Sequence, residues 1–158
     1  MQISLQIKNQ NGWDFVQYFG PINEEAEVHL SGLLTKLGAN VVFNFKNVES
    51  VNSCGVRAWI NFMRDLEKGR RVIFDECTPE IVMQINMIPS FKSTAQIQSV
   101  YGSYKCEACG HQKMNLFEAN KNFPSAATSD FPEIACEKCG SKMEMDEMED
   151  EFFAFTAA

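Results

Sequence analysis

Four of the six cysteines in this 158-residue chain stand in two CxxC pairs. The pairs are Cys106 with Cys109 in "YKCEACGHQ" and Cys136 with Cys139 in "IACEKCGSK", and a glycine follows each pair. Two residues between thiolates allow a tight turn to direct both sulfurs at one ion, and the glycine relieves the backbone at the turn. Two such turns complete a tetrahedral shell, so the spacing predicts one structural Zn²⁺ ion. A dithiol redox pair or ordinary free thiols are the alternatives, and neither explains why the pair is duplicated.

A shell of four thiolates leaves no open position for water, which indicates a zinc ion that stabilises the fold and does not catalyse. His111 follows closely after Cys109, and we expect an exposed loop residue that is not a ligand. Cysteine turns on β-hairpins resemble those of the zinc-ribbon family, and the resemblance covers about residues 104–158. It implies a small β-rich four-cysteine module that offers a second binding surface.

A second stretch of chemical interest is "SVNSCGVRAWINF", where a strand-like run changes into a helical pattern. Ser53 lies at this junction, with Asn52 before it and Cys54 and Gly55 after it. A serine at the start of a helix can cap it through the side-chain oxygen. The same position also suits a phosphate, because the first backbone N–H groups of a helix lack partners. The residues leave both interpretations open, a cap and a phosphorylation switch.

The elements that position these residues follow from the hydrophobic periods. "ISLQIK" and "WDFVQYF" alternate around "NQNG" and predict a β-hairpin. Two short strands, "NVVFNF" and "RRVIFDE", are flanked and separated by three helical patterns, "INEEAEVHLSGLLTKLG" before them, "VNSCGVRAWINF" between them and "TPEIVMQINMI" after them. The middle pattern places Trp59 and Met63 on its apolar face, in the core. Strands that alternate with helices predict an α/β fold with a partly parallel sheet covered by helices. We place a domain boundary near residue 103, giving domains 1–103 and 104–158, and expect a strand at 96–104 to run from one into the other.

The order of hairpin, helix, strand, helix, strand and helix resembles the STAS family, named for sulphate transporters and anti-sigma-factor antagonists. The resemblance spans about residues 3–100 and is carried by "VVFNFKNVESVNSCGVRAWINFMRDLEKGRRVIFDECTPEIVMQINMI". It implies a STAS-like mixed sheet with helices on one face. Such domains open a helix with an Asp-Ser-Ser/Thr-Gly turn, which puts Asn52 at the acidic position and Ser53 at the phosphorylatable one. Cys54 replaces the second hydroxyl, and Gly55 matches the glycine.

The same resemblance implies a non-catalytic signalling protein with a protein partner. Antagonists of this family bind a kinase or an anti-sigma factor through this turn and helix when they are unphosphorylated, and phosphorylation abolishes the binding. Ser53 is therefore the candidate phosphorylation site. The candidate partner-binding residues are Asn52, Cys54, Gly55, Arg57 and Arg64.

The net charge of −7 lies mainly in the last third of the chain. Residues 1–103 contain nine basic and ten acidic residues, whereas residues 104–158 contain five lysines and eleven acidic residues. Phosphate backbones bind clustered Lys and Arg, so we do not expect nucleic acid as the partner. The run "MEMDEMEDE" is predicted to be a solvated strand or tail. The "FFAF" after it either packs back on the ribbon, which we favour, or anchors a partner.

Other function classes have weaker support in the sequence. No apolar run approaches the length of a membrane span and the start lacks the features of a signal peptide, so the expected location is the cytoplasm. No nucleophile arrangement joins His29 or His111 and there is no glycine-rich phosphate loop, so we do not predict an enzyme. Two alternatives stay open: a zinc-ribbon transcription regulator associated with nucleic acid, and a STAS component that binds a nucleotide or a lipid.

Overall fold

A computed structural model describes residues 2–125, 127–128 and 130–157 of the chain. It begins with the predicted hairpin, in which strands β1 (Ser4–Gln10) and β2 (Trp13–Phe19) pair antiparallel. The turn between them consists of Asn11 and Gly12, both with positive φ (55° and 80°). Two such residues are what a tight two-residue hairpin turn requires.

The hairpin continues into a five-stranded sheet of order β1-β2-β3-β4-β5, in which β2 to β5 run parallel. Helices connect the parallel strands, as the alternating pattern in the sequence predicts. The remaining elements of this part are α1 (Ala26–Leu34), β3 (Asn40–Asn47), α2 (Ser53–Leu66), β4 (Arg71–Asp75), α3 (Pro79–Met87), α4 (Pro89–Lys92) and β5 (Gln96–Ile97).

The helices cover one face of this sheet. Side chains of β2 to β4 alternate along each strand, so that Val16 and Phe43 are fully buried while Phe15, on the opposite face, is 40% exposed. Trp59 of α2 lies at the centre of the covered face and contacts aromatic rings of β3, β4 and α4. Its indole N–H donates to the Phe91 carbonyl at 3.0 Å. The mixed α/β sheet with helices on one face is confirmed, as is the core position of Trp59.

A second, four-stranded sheet follows, with order β7-β6-β9-β8, and this sheet with its cysteine turns is called the ribbon below. Only Gln98 separates β5 from β6, and it belongs to both sheets: its N–H donates to the Phe74 carbonyl and its carbonyl accepts from Ala119 N–H, each at 2.8 Å. The strands of this sheet are β6 (Ser99–Lys105), β7 (Gln112–Glu118), β8 (Ile134–Ala135) and β9 (Lys142–Met145).

The chain ends in a short helix, α5 (Glu149–Phe152), and a 3-10 helix (Phe153–Ala157). Phe153 is fully buried and its ring lies 5.1 Å from that of Phe117 on β7. Asn86 of α3 donates from its amide to the carbonyl oxygens of Glu151 and Phe152, at 3.1 and 2.9 Å. The "FFAF" segment therefore packs back on the ribbon, as favoured, and it also contacts α3. The domain boundary near residue 103 stays a prediction, and it falls inside β6.

Candidate metal centre and candidate docking turn

The two cysteine pairs lie on turns of the same conformation, one after β6 and one after β8. Cys106 carbonyl accepts from Gly110 N–H at 2.8 Å, and Cys136 carbonyl accepts from Gly140 N–H at 2.8 Å. Both glycines have φ of +77°, a backbone conformation that costs a residue with a Cβ more than it costs glycine. The glycine after each pair is therefore explained by the turn that the cysteines occupy.

The four cysteine sulfurs converge on one point. They all lie within 4.8 Å of one another. Cys106 and Cys139 are separated by 3.5 Å between sulfurs, and Cys109 and Cys136 by 3.6 Å. Each of these two distances joins a sulfur of one turn to a sulfur of the other turn. The pairing of β6 with β9 brings the two turns together. This cluster is able to hold a metal ion.

The surroundings of the cluster favour the thiolate form of at least one ligand. The backbone N–H of Ser141 and then its side chain hydrogen bond to Cys139 and lower the pKa of that thiol to about 6. The thiolate is the form of cysteine that binds metals. In the same cluster the His111 N–H lowers the pKa of Cys109, but burial and the neighbouring thiols raise it to about 12, so the four thiols differ in how readily they lose a proton.

His111 is not the exposed loop residue that we expected. Its side chain is only 17% exposed and its Nε2 lies 3.0 Å from an oxygen of Glu137. Glu137 follows the first cysteine of the second turn, so this contact joins the two turns beside the cluster. Because the contact spans 26 positions, nothing in the local sequence indicated it.

At the other candidate site, helix α2 begins at Ser53, but Ser53 is not its cap. The N-cap is Asn52, whose side-chain oxygen accepts from Gly55 N–H at 2.8 Å. The other end of that amide donates to Glu24 at 3.0 Å. The capping interpretation of Ser53 is thus wrong: the larger side chain before it reaches the free N–H, and Ser53 becomes the first helical residue, exposed to solvent.

Gly55 allows a close approach that no other residue permits. A Cβ at this position would lie 1.9 Å from the carbonyl oxygen of Ile22. The segment around Ile22 crosses the start of α2, accepting from Asn52 N–H at 3.1 Å and donating to Ser50 carbonyl at 3.0 Å. Gly55 is buried beneath this segment, so any contribution it makes to partner binding is through the position of its neighbours.

The exposed face of α2 presents a serine and two arginines. Ser53, Arg57 and Arg64 are exposed, whereas Trp59 and Met63 are fully buried on the opposite face. Ser53 and Arg57 are four residues apart and lie on the same side of the helix. Cys54, next to Ser53, is exposed as well.

Sequence reasoning missed a polar network at the end of β4. Glu76 has φ of +47° and its carboxylate accepts from Asn44 Nδ2 and from the Tyr101 hydroxyl, both at 2.6 Å. Burial raises the pKa of Glu76, but these hydrogen bonds and the charge of Lys46 lower it to below its usual value. Burial and then Glu76 raise the pKa of Tyr101 to about 12. The network ties β3 and β4 to β6, and it borders a cavity of about 530 Å³ that Lys46 and Tyr101 line.

Comparison with known proteins yields one kind of similarity. No known protein family matches the chain, and no curated protein matches it. A similar solved structure is that of the anti-sigma factor antagonist SpoIIAA in its unphosphorylated form. The two chains are 19% identical, the similarity covers 60% of this chain and 87% of that chain, and the TM-score is 0.42.

Within the described residues, no helix is both long and apolar enough to cross a membrane.

Proposed function

We propose that this chain is a non-catalytic, cytoplasmic regulatory protein, in which a STAS-like part docks a signalling protein and phosphorylation of Ser53 gates the docking. The observation that carries the proposal is the exposure of Ser53 at the first position of a 14-residue helix. The cap by Asn52 and the close packing over Gly55 hold this position rigidly. The partner is a kinase or an anti-sigma-like protein.

The gate acts through charge on the exposed face of α2. A phosphate on Ser53 adds about −1.5 to −2 charges at the positive end of the helix. Arg57, one turn further along, is the nearest helical cation, and a phosphate at this spacing pairs with it. Glu24, held against Asn52, adds a negative charge beside the phosphate. The unmodified face presents a free Arg57 to a partner, and the phosphorylated face does not.

Native mass spectrometry of protein from its own host, before and after phosphatase, tests the modification. We expect a phosphatase-sensitive mass increment that peptide mapping assigns to Ser53. Absence of this increment under every growth condition tried would overturn the proposed control by phosphorylation. Docking would then be constitutive.

Binding assays with immobilised variants test the docking face. We expect Ser53→Ala to retain the partner, and both Ser53→Asp and the double variant Arg57→Glu, Arg64→Glu to lose it. Lys36→Glu is the matched control, because Lys36 is an exposed cation outside α2. A partner that binds all of these variants equally well docks elsewhere.

We further propose that the cysteine cluster holds one structural Zn²⁺ in a zinc-ribbon module. Four thiolates at about 2.3 Å from zinc lie about 3.8 Å from one another in a tetrahedron, and the sulfurs already approach to 3.5 and 3.6 Å across the turns. All four cysteines would be ligands, Cys106 and Cys109 from one turn and Cys136 and Cys139 from the other. Elemental analysis of the purified chain is expected to find one zinc per chain, and iron in its place would overturn the identity of the metal.

A further inference from the structure

Three methionine side chains on α3 and near the chain terminus are exposed to solvent. Met83, Met87 and Met148 are 42%, 63% and 65% exposed, whereas Met63 and Met143 are buried. Large apolar side chains lose free energy when they stay in contact with water, and contiguous exposed ones mark interaction sites. The positions of these three side chains relative to one another decide whether they form one surface.

The terminal segment lies along helix α3, and two points of contact fix their alignment. Near the start of the helix, Glu80 and Glu147 line the same cavity of about 530 Å³. Near the end of the helix, Asn86 donates from its amide to the carbonyl oxygen of Phe152 at 2.9 Å. Residues 147–152 therefore run beside residues 80–86 in the same direction.

The three exposed methionines lie between these contacts or directly next to them. Met83 lies between the two contact points on α3, and Met148 lies between them on the terminal segment. Met87 follows Met83 by four residues and so lies on the same side of the helix. The three side chains thus share one exposed surface, which is called the methionine surface below.

The charge around the methionine surface has one sign. Neither α3 nor residues 143–157 contain a lysine, an arginine or a histidine. The acidic residues of these two segments are Glu80, Glu144, Asp146, Glu147, Glu149, Asp150 and Glu151. None of them takes part in an ion pair with another residue that the structure describes. An occupant complementary to this surface is therefore positively charged, which excludes nucleic acid and an anionic lipid surface.

The apolar part of the surface suits a helix better than a small molecule. Met83 and Met87 are one helical turn apart and exposed along the axis of α3, so a second helix laid beside α3 meets both of them. Amphipathic helices bind through apolar residues that recur every three or four positions. Thioether side chains are flexible and polarizable, and they adapt to apolar side chains of different shape.

We propose that the methionine surface docks a basic amphipathic helix of a partner protein. The apolar face of that helix packs on Met83, Met87 and Met148, and its lysines and arginines meet the carboxylates on either side. This surface lies on α3 and the terminal segment, so it goes beyond the proposed docking at α2. It does not depend on phosphorylation of Ser53, and either proposal can fail alone.

Binding of a model helix to the full-length chain tests the proposal. The probe is a fluorescently labelled peptide of lysine and leucine, with the leucines at helical spacing, and anisotropy measures its binding. A peptide of the same composition in scrambled order and a peptide with glutamate in place of lysine are the controls. In spectra of the chain labelled at the methionine methyl groups, the probe is expected to shift the signals of Met83, Met87 and Met148. The signals of buried Met63 and Met143 should not shift.

Variants of the methionine surface locate the binding. The double variant Met83→Gln, Met87→Gln is expected to weaken binding of the probe about tenfold, because it removes apolar surface that the helix would bury. Both side chains are exposed and glutamine is as good a helix former as methionine, so this variant should fold. Val28→Gln on α1 is the matched control, since Val28 is 77% exposed, and it should bind like the wild type.

Each other outcome overturns the proposal. Equal binding of the scrambled peptide, or equal binding by the double variant, would show diffuse attraction to an acidic protein. Binding of none of the peptides would show that the surface does not dock such a helix. Sedimentation of the chain alone tests the remaining occupant: self-association that the double variant abolishes would assign the methionine surface to a second copy of this chain.

Discussion

The two sheets of this molecule are stabilised in different ways. The five-stranded sheet buries a continuous aromatic core, with Trp59 in contact with rings from β3, β4 and α4. The ribbon has strands as short as the two-residue β8 and the four-residue β9. Besides the contact of Phe117 with Phe153, it has four cysteines that converge on one point. Burial of apolar surface suffices for the first region, whereas short hairpins need a further stabilising interaction. We therefore expect metal loss and core mutations to act on different parts of the chain.

Removal of the proposed zinc ion should have the largest effect, and on the ribbon alone. A structural zinc site contributes on the order of 10 kcal/mol or more of binding free energy to folding. Amide hydrogen exchange after chelation, or in Cys109→Ser, is expected to show lost protection in β7 and β9 and retained protection in β3. Both tryptophans lie in the first region, Trp13 on β2 and Trp59 on α2, so their fluorescence should not change. A fluorescence change equal to global unfolding would show that the two regions are one cooperative unit.

Truncation of the aromatic core should have the next largest effect, and on the first sheet. Trp59→Ala removes a fully buried side chain and is expected to cost about 3 to 5 kcal/mol of unfolding free energy. Urea denaturation followed by circular dichroism measures it. Ile60→Ala, at the half-buried neighbouring position, is the matched control and should cost less. The content of the proposed zinc should be the same in both variants as in the wild type, and a lower content would contradict the separation of the two regions.

A carboxylate in the first sheet makes that region sensitive to acid without involving the metal. Asp14 accepts from Asn9 at 2.9 Å and from Gly38 N–H at 2.7 Å, and these hydrogen bonds lower its pKa. A lowered pKa in the folded state gives stability that is complete above the usual pKa of aspartate and is lost as the pH falls through the folded value. Asp14→Ala is expected to cost about 2 kcal/mol at pH 7. The cost should shrink at lower pH, and a cost independent of pH would assign it to packing.

The smallest expected effect distinguishes the cap of α2 from the candidate phosphorylation site. Asn52→Ala removes the side chain that accepts from Gly55 N–H and should cost about 1 kcal/mol. Ser53→Ala is the matched control, expected to change the unfolding free energy by less than about 0.5 kcal/mol because its exposed side chain is not the cap. Thermal denaturation of the two variants measures the difference. If Ser53→Ala lowers the unfolding free energy more than Asn52→Ala does, Ser53 is the cap of the helix.

The sequence predicts the order of elements because hydrophobic periods reflect burial directly. Trp59 and the other apolar residues of α2 recur at helical spacing, which predicts one buried face, and Trp59 is fully buried in the structure. The four cysteines are predictable for a similar reason, since the CxxC spacing is a local consequence of two thiolates that share a turn.

Other features depend on contacts that the local sequence does not encode. Asn52 and Ser53 are both good capping residues, so propensity alone does not say which of them precedes the helix. Glu76 and Tyr101 are 25 positions apart, and their hydrogen bond arises only when β6 follows the first sheet. Tertiary packing decides each of these features.

The position of Gln98 between the two sheets has a mechanical consequence. It is the single residue between β5 and β6, and its N–H and carbonyl group are hydrogen bonded to different sheets. A tensile load applied to the ribbon therefore reaches the first sheet through this peptide backbone without a flexible linker, in parallel with the Tyr101–Glu76 hydrogen bond and the contact of Asn86 with Phe152. Under an optical trap we expect no compliant linker to extend before the first rupture event. Displacement of the ribbon is therefore expected to move β5 and, through the hydrogen bond from Gln98 N–H to the Phe74 carbonyl, the end of β4.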